Sequence, residues 1–359
     1  MGLRIACLNP GSSSVKASLL DGDSTLTETS IDSGSPSMDL AAVLPADIDG
    51  VAVRIVHGGP DFRGATLVDG TVLRRLRDLA WLAPLHNPAA LALIDRVREL
   101  RPDVPIVGCF DTAFHATLPE AAATYPVPRS WTTMWGLKRY GFHGLSHAYA
   151  SRRTSQLLGG RPSRLVSCHL GAGASLCAIR DGVSVDTTMG FTPMEGLMMA
   201  TRSGSIDPGI ILLALREGLS VDDVERQLEH ASGLFGLAGS ADFRTVATAA
   251  DGGDEAAVLA VSVYHHRLVQ GAAAMAASLG GIDALVFTGG VGENQASLRQ
   301  RVCAGIAFLG VALTPDDSDH DGQDRALPGE VDAVKVLVIH AREDLEMARQ
   351  AGPLLARKP

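Results

Sequence analysis

Lysine is scarce in this chain. Four residues (Lys16, Lys138, Lys335 and Lys358) occur among 359, and arginine supplies the rest of the positive charge. Net charge is −9 and the sequence pI about 5.6, which argues against nucleic acid or an acidic membrane as the main partner. No Gly-Lys pair occurs, so there is no Walker A loop, and no stretch reads G-x-G-x-x-G or G-x-S-x-G. The five cysteines (Cys7, Cys109, Cys168, Cys177, Cys303) form no C-x-x-C pair and, with the histidines, no zinc spacing. Odd in number and set in apolar runs, they read as reduced, buried thiols of a cytoplasmic protein. The N-terminus lacks a signal peptide's long apolar core, and the uncharged stretch 268–282 is too short to span a bilayer.

What is present begins at residues 3–20. An apolar run enters the loop Asn9-Pro10-Gly11-Ser12-Ser13-Ser14, and a second run leaves it with Lys16 just past the turn. Small side chains let backbone N–H groups approach a ligand closely, and three hydroxyls and an ammonium suit a phosphate. The same residue types also make an ordinary hairpin turn. At an offset of 160 the pattern returns. Arg4–Gly22 aligns without gaps on Arg164–Gly182, with four identities in nineteen positions and a second small-residue loop, His169-Leu170-Gly171-Ala172-Gly173-Ala174. Matching pattern and turn chemistry point to a duplicated half.

Between and beyond these repeats, strands and helices alternate, which predicts an α/β fold. Strands are expected at 3–9, 14–20, 26–31, 50–56, 104–110, 164–182 (two), 183–187, 284–288 and 331–339. Helices are expected near 38–44, 71–81, 88–100, 145–158, 207–217, 220–231, 254–279, 295–305 and 342–356, with a loop at 189–205 and a surface loop at 315–329. A third small-residue loop, Gly289-Gly290-Val291-Gly292-Glu293-Asn294, follows a strand. Two phosphate hairpins and a Gly-Gly-x-Gly nucleoside loop would suit ATP in a cleft between similar halves.

Arg54 and Arg202 could each offer a planar fork of donors to an anionic acceptor or a transferring phosphoryl group, or serve as structural ion pairs. Asp111 stands at a strand's C-terminal end, where α/β sites collect. His143, between Phe142 and Gly144, is open to either a structural or a functional role; His57, His86, His115 and His147 carry no functional signal in their pattern.

Taken together the motifs resemble the acetate kinase family, within the acetate and sugar kinase, Hsp70 and actin superfamily. They are Asn-x-Gly-Ser-Ser-Ser-x-Lys at 9–16, Arg-x-Val-His-Gly-Gly at 54–59, Leu-Ala-Pro-Leu-His-Asn-Pro at 82–88, Phe-Asp-Thr-Ala-Phe-His at 110–115 and Tyr-Gly-Phe-His-Gly at 140–144. Gly-Phe-Thr-Pro at 190–193, Gly-Ser-Ile-Asp-Pro at 204–208, Asp-Phe-Arg at 242–244 and Gly-x-Gly-Glu-Asn at 290–294 follow in order. The resemblance implies two duplicated ribonuclease H-like (actin-like ATPase) domains of β-β-β-α-β-α-β-α order flanking a cleft: 1–147 with 341–359, and 148–340. It implies reversible transfer of the ATP γ-phosphoryl group to a short carboxylate, giving an acyl phosphate and ADP, in a cytoplasmic homodimer that acts on small molecules.

By the same likeness Asn9 and Glu343 would place Mg²⁺ or Mn²⁺, with Ser12, Ser14 and Lys16 near the phosphates. Arg54 and Arg202 would bind the acyl carboxylate and the phosphoryl group, Asp111 would organise the centre, and His143 would stabilise the transferring group. His169, Gly171, Gly173, Asp242, Phe243, Arg244, Gly290, Gly292 and Asn294 are the implied nucleotide positions; Val56, Leu85, Phe142 and Pro193 match a small acyl pocket. Where the family usually has Asn and Ser, this chain has Ala172 and Ala174, which bears on the phosphoryl donor. His340-Ala341-Arg342 replaces a usual Pro-Thr-Asn, and the chain is shortened before Gly50. Propionate or butyrate as acceptor, pyrophosphate as donor, and an ATPase module without an acyl acceptor are the competing readings.

Overall fold

The computed structural model describes residues 2–11, 14–32, 40, 42–314, 323–330 and 333–356. Its contacts divide the chain into two units: Met1–Ala116 with Phe142–Tyr149 and Arg342–Pro359, and Thr117–Gly141 with Ala150–Ala341. The segment 117–141, read from the sequence as part of the first domain, therefore packs with the second unit.

The first unit is built on six strands: β1 (Arg4–Pro10), β2 (Ser14–Asp21), β3 (Ser24–Asp32), β4 (Gly50–Ile55), β5 (Thr66–Leu67) and β6 (Ile106–Phe110). Their order is β3-β2-β1-β4-β6-β5, with β1, β4 and β6 parallel and the hairpin strands antiparallel. The parallel strands read as continuous apolar runs because both faces are covered. On one face Leu73 and Leu76 of the helix Gly70–Asp78 and Ile94 and Val97 of the helix Asn87–Leu100 pack among Leu8, Val53 and Ile106. On the other, Met347, Ala351 and Leu355 of the helix Glu343–Leu355 pack against Ile5, Cys7, Ala52 and Val107. That helix thus returns the end of the chain to the first sheet.

The second unit repeats the plan with β7 (Arg164–Leu170), β8 (Ala174–Arg180), β9 (Val183–Thr187), β10 (Ala284–Thr288), β11 (Arg325–Ala326) and β12 (Lys335–Val338) in the order β11-β12-β10-β7-β8-β9. β7 pairs with β8 from Arg164↔Arg180 to Leu170↔Ala174, as β1 pairs with β2 from Arg4↔Asp21 to Pro10↔Val15. The duplication seen in the sequence is a duplication of sheets. Each sheet adds a two-residue antiparallel edge strand to the five expected.

Several local expectations change. Gly289–Asn294 is a short helix rather than a loop, and a second helix, Ala296–Gly305, follows it. Helices at Glu120–Ala123, Arg129–Trp135, Gly233–Ala238 and Phe243–Asp251 were not read from the sequence. The expected loop at 315–329 contains β11, and its first part, 315–322, lies outside the described residues. Of the expected helix near 38–44, residues 38, 39 and 41 lie outside the described residues, and 42–44 form a turn, with Val43 and Leu44 N–H donating to the Leu40 carbonyl. The last strand is limited to Lys335–Val338 among the described residues. All five cysteines are buried and free, and no helix of the described residues is long and apolar enough to cross a membrane.

Candidate active site

In the first unit the expected residues meet at the C-terminal ends of β1, β4 and β6. The Arg54 guanidinium donates from Nε to Asp111 Oδ1 at 2.9 Å and from Nη2 to Oδ2 at 2.6 Å, a planar two-bond fork. Its Nη1 donates to Asn9 Oδ1 at 2.9 Å, and Asn9 Nδ2 donates to Glu343 Oε2 at 2.6 Å. The Asp111 side chain is 1% exposed and that of Arg54 16%. Burial works to lower the Arg54 pKa, but Asp111 and Glu343 outweigh it and raise the pKa above its ordinary value. Arg54 is thus an ion pair, and two of its five N–H donors are not engaged in the Asp111 and Asn9 bonds.

Lys16 sits directly opposite Asn9 in the β1–β2 register, so the two side chains share a face of the hairpin. Ser14 opens β2, and Gly11 N–H closes the turn onto its carbonyl at 2.7 Å. Ser12 lies outside the described residues.

His143 adopts φ = 55°, a left-handed backbone that costs a non-glycine residue free energy and recurs at functional sites. Gly144 N–H donates to the Asp111 carbonyl at 3.0 Å, and a Cβ on Gly144 would stand 2.1 Å from that oxygen. His143 is thereby tied to the backbone of Asp111. Phe142 is 1% exposed, its ring edge-on to His57 at 5.4 Å; Val56 is buried too, whereas Leu85 is 52% exposed.

His115, without functional signal in the sequence, is 2% exposed, and its Nε2–H donates to the Phe142 carbonyl at 3.0 Å. Burial pushes its pKa down to about 4, although the bond to Phe142 works the other way. Between that value and an unfolded-state value of about 6.5 the unfolded chain binds the extra proton, so stability rises with pH across this window. Wild-type protein is expected to lose up to about 3 kcal/mol as pH falls from 6.5 towards 4, and His115→Gln to flatten that slope. Denaturant melts at several pH values check this; an unchanged slope in the variant refutes it.

In the second unit a pocket of about 900 Å³ gathers Gly171, Asp242, Phe243, Arg244, Gly290 and Asn294, six of the nine expected nucleotide positions. Gly292 is buried within the short helix Gly289–Asn294, and neither it, His169 nor Gly173 lines the pocket. Gly289 makes the strand-to-helix turn at φ = 78°, where a Cβ would come within 2.7 Å of the Leu170 carbonyl. Asn294 Nδ2 donates to the Gly290 carbonyl at 2.8 Å, and Asp242 caps the helix Phe243–Asp251 by accepting from Thr245 N–H. The two departures separate here. Ala172 is exposed and lines the pocket, whereas Ala174 is fully buried in β8. Arg202 Nη1 donates to the Pro193 carbonyl at 3.0 Å, which couples two expected site residues directly.

Two residues given no role from the sequence support the short helix at 289–294. Glu293 accepts from Gly289 N–H and Ala341 N–H and meets His340 Nδ1 at 2.5 Å. Arg299, fully buried, donates to the Gly292 and Glu293 carbonyls at 2.9 and 2.7 Å. The Gly-x-Gly-Glu-Asn motif contained the first; nothing local marks the second.

A duplicated sheet of this order, with its site residues at the strand ends, defines an actin-like ATPase-type fold. Residues 37–349 match the acetokinase family. A protein of Gloeobacter violaceus named acetate kinase is 46% identical over 92% of this chain and 86% of its own length, and one of Nostoc punctiforme, also named acetate kinase, 48% over 86% and 77%. Among solved structures, Porphyromonas gingivalis acetate kinase superposes with a TM-score of 0.90 at 33% identity, covering 99% of this chain and 100% of that one. A propionate kinase from Francisella tularensis superposes at 0.89 with 32% identity, covering 97% and 98%. The chain belongs to the acetokinase family.

Proposed function

We propose that this protein is an acetate kinase, transferring the γ-phosphoryl group of ATP to acetate to give acetyl phosphate and ADP, reversibly. The observation that carries the reading is the identity of 46–48% to proteins named acetate kinase across 86–92% of the chain.

The chemistry fits the charges. A carboxylate attacking a polyphosphate brings anions together, so the protein's part is positioning and charge stabilisation of an in-line transfer. The carboxylate is ionised at neutral pH and needs no general base. Arg54 and Arg202 would hold the acyl carboxylate and the phosphoryl oxygens, and His143 would donate a hydrogen bond to the group in flight. Val56, Leu85, Phe142 and Pro193 would contact the methyl group. Lys16, Ser12 and Ser14 would serve the phosphates, with Asp111 orienting Arg54 through the two-bond fork. In the second unit the 900 Å³ pocket is large enough for a nucleoside.

The Glu343 carboxylate supplies the hard oxygens that suit Mg²⁺, a metal commonly bound by one or two carboxylates plus phosphate and water oxygens, and Asn9 orients that carboxylate by donating to it from Nδ2. Bound there, the metal would neutralise charge on the transferring phosphates, while Asn9 stays oriented by Arg54.

A hydroxylamine trap with ATP, Mg²⁺ and acetate is expected to yield the acyl hydroxamate; no hydroxamate from acetate, propionate or butyrate, with ATP hydrolysis intact, would sink the reading in favour of a plain ATPase. The likeness to a propionate kinase keeps propionate as the second acceptor, since one methylene in an apolar pocket is worth only about 1–3 kcal/mol. Replacing ATP by pyrophosphate in the same trap tests the donor.

Ala172 lines the nucleotide pocket, so Ala172→Asn is expected to lower the KM for ATP about two- to tenfold, the worth of one hydrogen bond. An unchanged KM would dissociate this departure from nucleotide affinity. We also propose a cytoplasmic homodimer. The helix Pro208–Arg216 buries none of its residues and exposes Ile210, Leu212 and Leu213 by more than half, a face a second copy would cover.

A further inference from the structure

The turn around Pro193 is held by three side chains that no part of the proposed mechanism uses. Tyr125 places its hydroxyl at both ends of that turn. It accepts from Phe191 N–H at 2.8 Å and donates to the Glu195 carboxylate. Phe191 and Glu195 stand two residues before and two after Pro193, so one phenol closes the turn and sets its tip. Arg139 takes the other Glu195 oxygen at 2.6 Å from Nη2. From Nη1 it donates to the Thr188 and Met189 carbonyls at 3.0 and 3.1 Å, where the loop begins. Its guanidinium also lies over the Tyr125 ring, 5.5 Å from the centroid.

The sequence accommodates this cluster at Gly190. A Cβ there would fall 1.8 Å from a Glu195 oxygen and 2.1 Å from the Tyr125 hydroxyl, so only glycine leaves room for the bridge. The Gly190 carbonyl accepts from Tyr140 and Gly141 N–H at 3.0 and 3.2 Å. The far end of the turn is tied as firmly. Gly196 N–H donates to Ser205 Oγ, and Ser205 N–H donates back to the Gly196 carbonyl. The free tip, Pro193, presents its carbonyl to Arg202 Nη1 at 3.0 Å.

We propose that Tyr125, Glu195 and Arg139 are positioning residues that fix Pro193 and, through its carbonyl, Arg202, and so set the affinity and chain-length selectivity for the acyl acceptor. Glu195 balances the charge of Arg139, and Arg139 spends its donors on the loop's own carbonyls. Arg139 is thereby distinguished from a substrate-binding arginine, although it lies in the same unit as Arg202. Tyr125 stays protonated, and so able to donate, because burial and then the bond to Glu195 raise its pKa.

The inference rests on the acyl-acceptor reading, and its test separates the two. Tyr125→Phe removes one oxygen. It is expected to raise the KM for acetate about tenfold, the loss of one charge-assisted bond of about 1.4 kcal/mol, and to change the KM for ATP less than about twofold. The ratio of kcat/KM for propionate to that for acetate is expected to change with it. Glu195→Ala should reproduce the effect, and Glu195→Gln, whose single oxygen can accept from Arg139 or from Tyr125 but not from both, should restore only part of it. Because the Glu195 side chain is one-third exposed, this pair carries the test if Tyr125→Phe does not fold. An unchanged acetate KM, or a rise in both KM values alongside a lower Tm, would overturn the clamp. Wild-type protein that forms no acyl phosphate from any acid would instead overturn the reaction assigned to the chain.

Discussion

Arg54→Ala is expected to abolish turnover and to destabilise the first unit as well. The Asp111 carboxylate, 1% exposed, receives two of the three hydrogen bonds that Arg54 makes. Removing the guanidinium leaves that charge buried without its fork, which typically costs about 3–5 kcal/mol. For a unit of this size that lowers Tm by about 10 °C. Turnover should fall about 10³-fold or more, the usual scale for an arginine that offsets phosphoryl charge. Arg54→Lys keeps a cation but not the planar fork, so it should recover part of the stability and little of the activity.

The double variant Arg54→Leu/Asp111→Leu distinguishes the two losses. With both charges gone neither member of the pair is left buried alone, although Asn9 Oδ1 loses its donor, so stability should return part of the way to the wild-type value while turnover stays lost. Thermal melts and the hydroxamate trap read the two quantities separately. Arg54→Ala with wild-type Tm would mean that Asp111 is compensated elsewhere. Arg54→Ala with near-normal turnover would remove Arg54 from the site.

The strand ends explain how much of this was legible. Asn9, Arg54 and Asp111 stand near the C-terminal ends of three parallel strands, and in α/β sheets such positions can be found from strand prediction alone. The second hairpin was legible because a strand–loop–strand repeat keeps its pattern after its residues diverge, and β1–β2 and β7–β8 are both antiparallel hairpins in the same place in their sheets, their registers one residue apart. The helix at 289–294 was not. Three glycines in six residues argue for a loop by propensity, and the segment is held helical by Glu293 accepting at its start and Arg299 donating near its end. At Asp242 the sequence showed one role of two: the residue expected to meet the nucleotide lines the pocket and is also the cap that starts a helix. The Tyr125–Glu195–Arg139 cluster was invisible because its bonds join residues 56 to 70 positions apart, and none of the three has a local signature. Sequence pattern finds residues that act where an element ends; it does not find those that act by holding another loop.

His143 offers the second large effect, and one with an uncommon signature. Its φ of 55° costs a non-glycine residue about 1–3 kcal/mol, and the next residue, Gly144, donates its N–H to the Asp111 carbonyl. A structural histidine would contribute contacts worth that strain, whereas a histidine kept for its donor need not. His143→Gly relieves the strain and adds unfolded-state entropy of about 0.5–1 kcal/mol, so its Tm should stay within a few degrees of wild type or rise. His143→Ala keeps the strain and should be the less stable of the two. Both should lose about 10²–10³ in kcat, the usual consequence of removing one hydrogen bond made to charge in the transition state. Because no general base is required, kcat in wild type should not fall on the acid side of neutrality as protonation of a titrating base would dictate. A large drop in the Tm of His143→Gly would make the residue structural, and near-normal kcat in either variant would remove it from the transfer step.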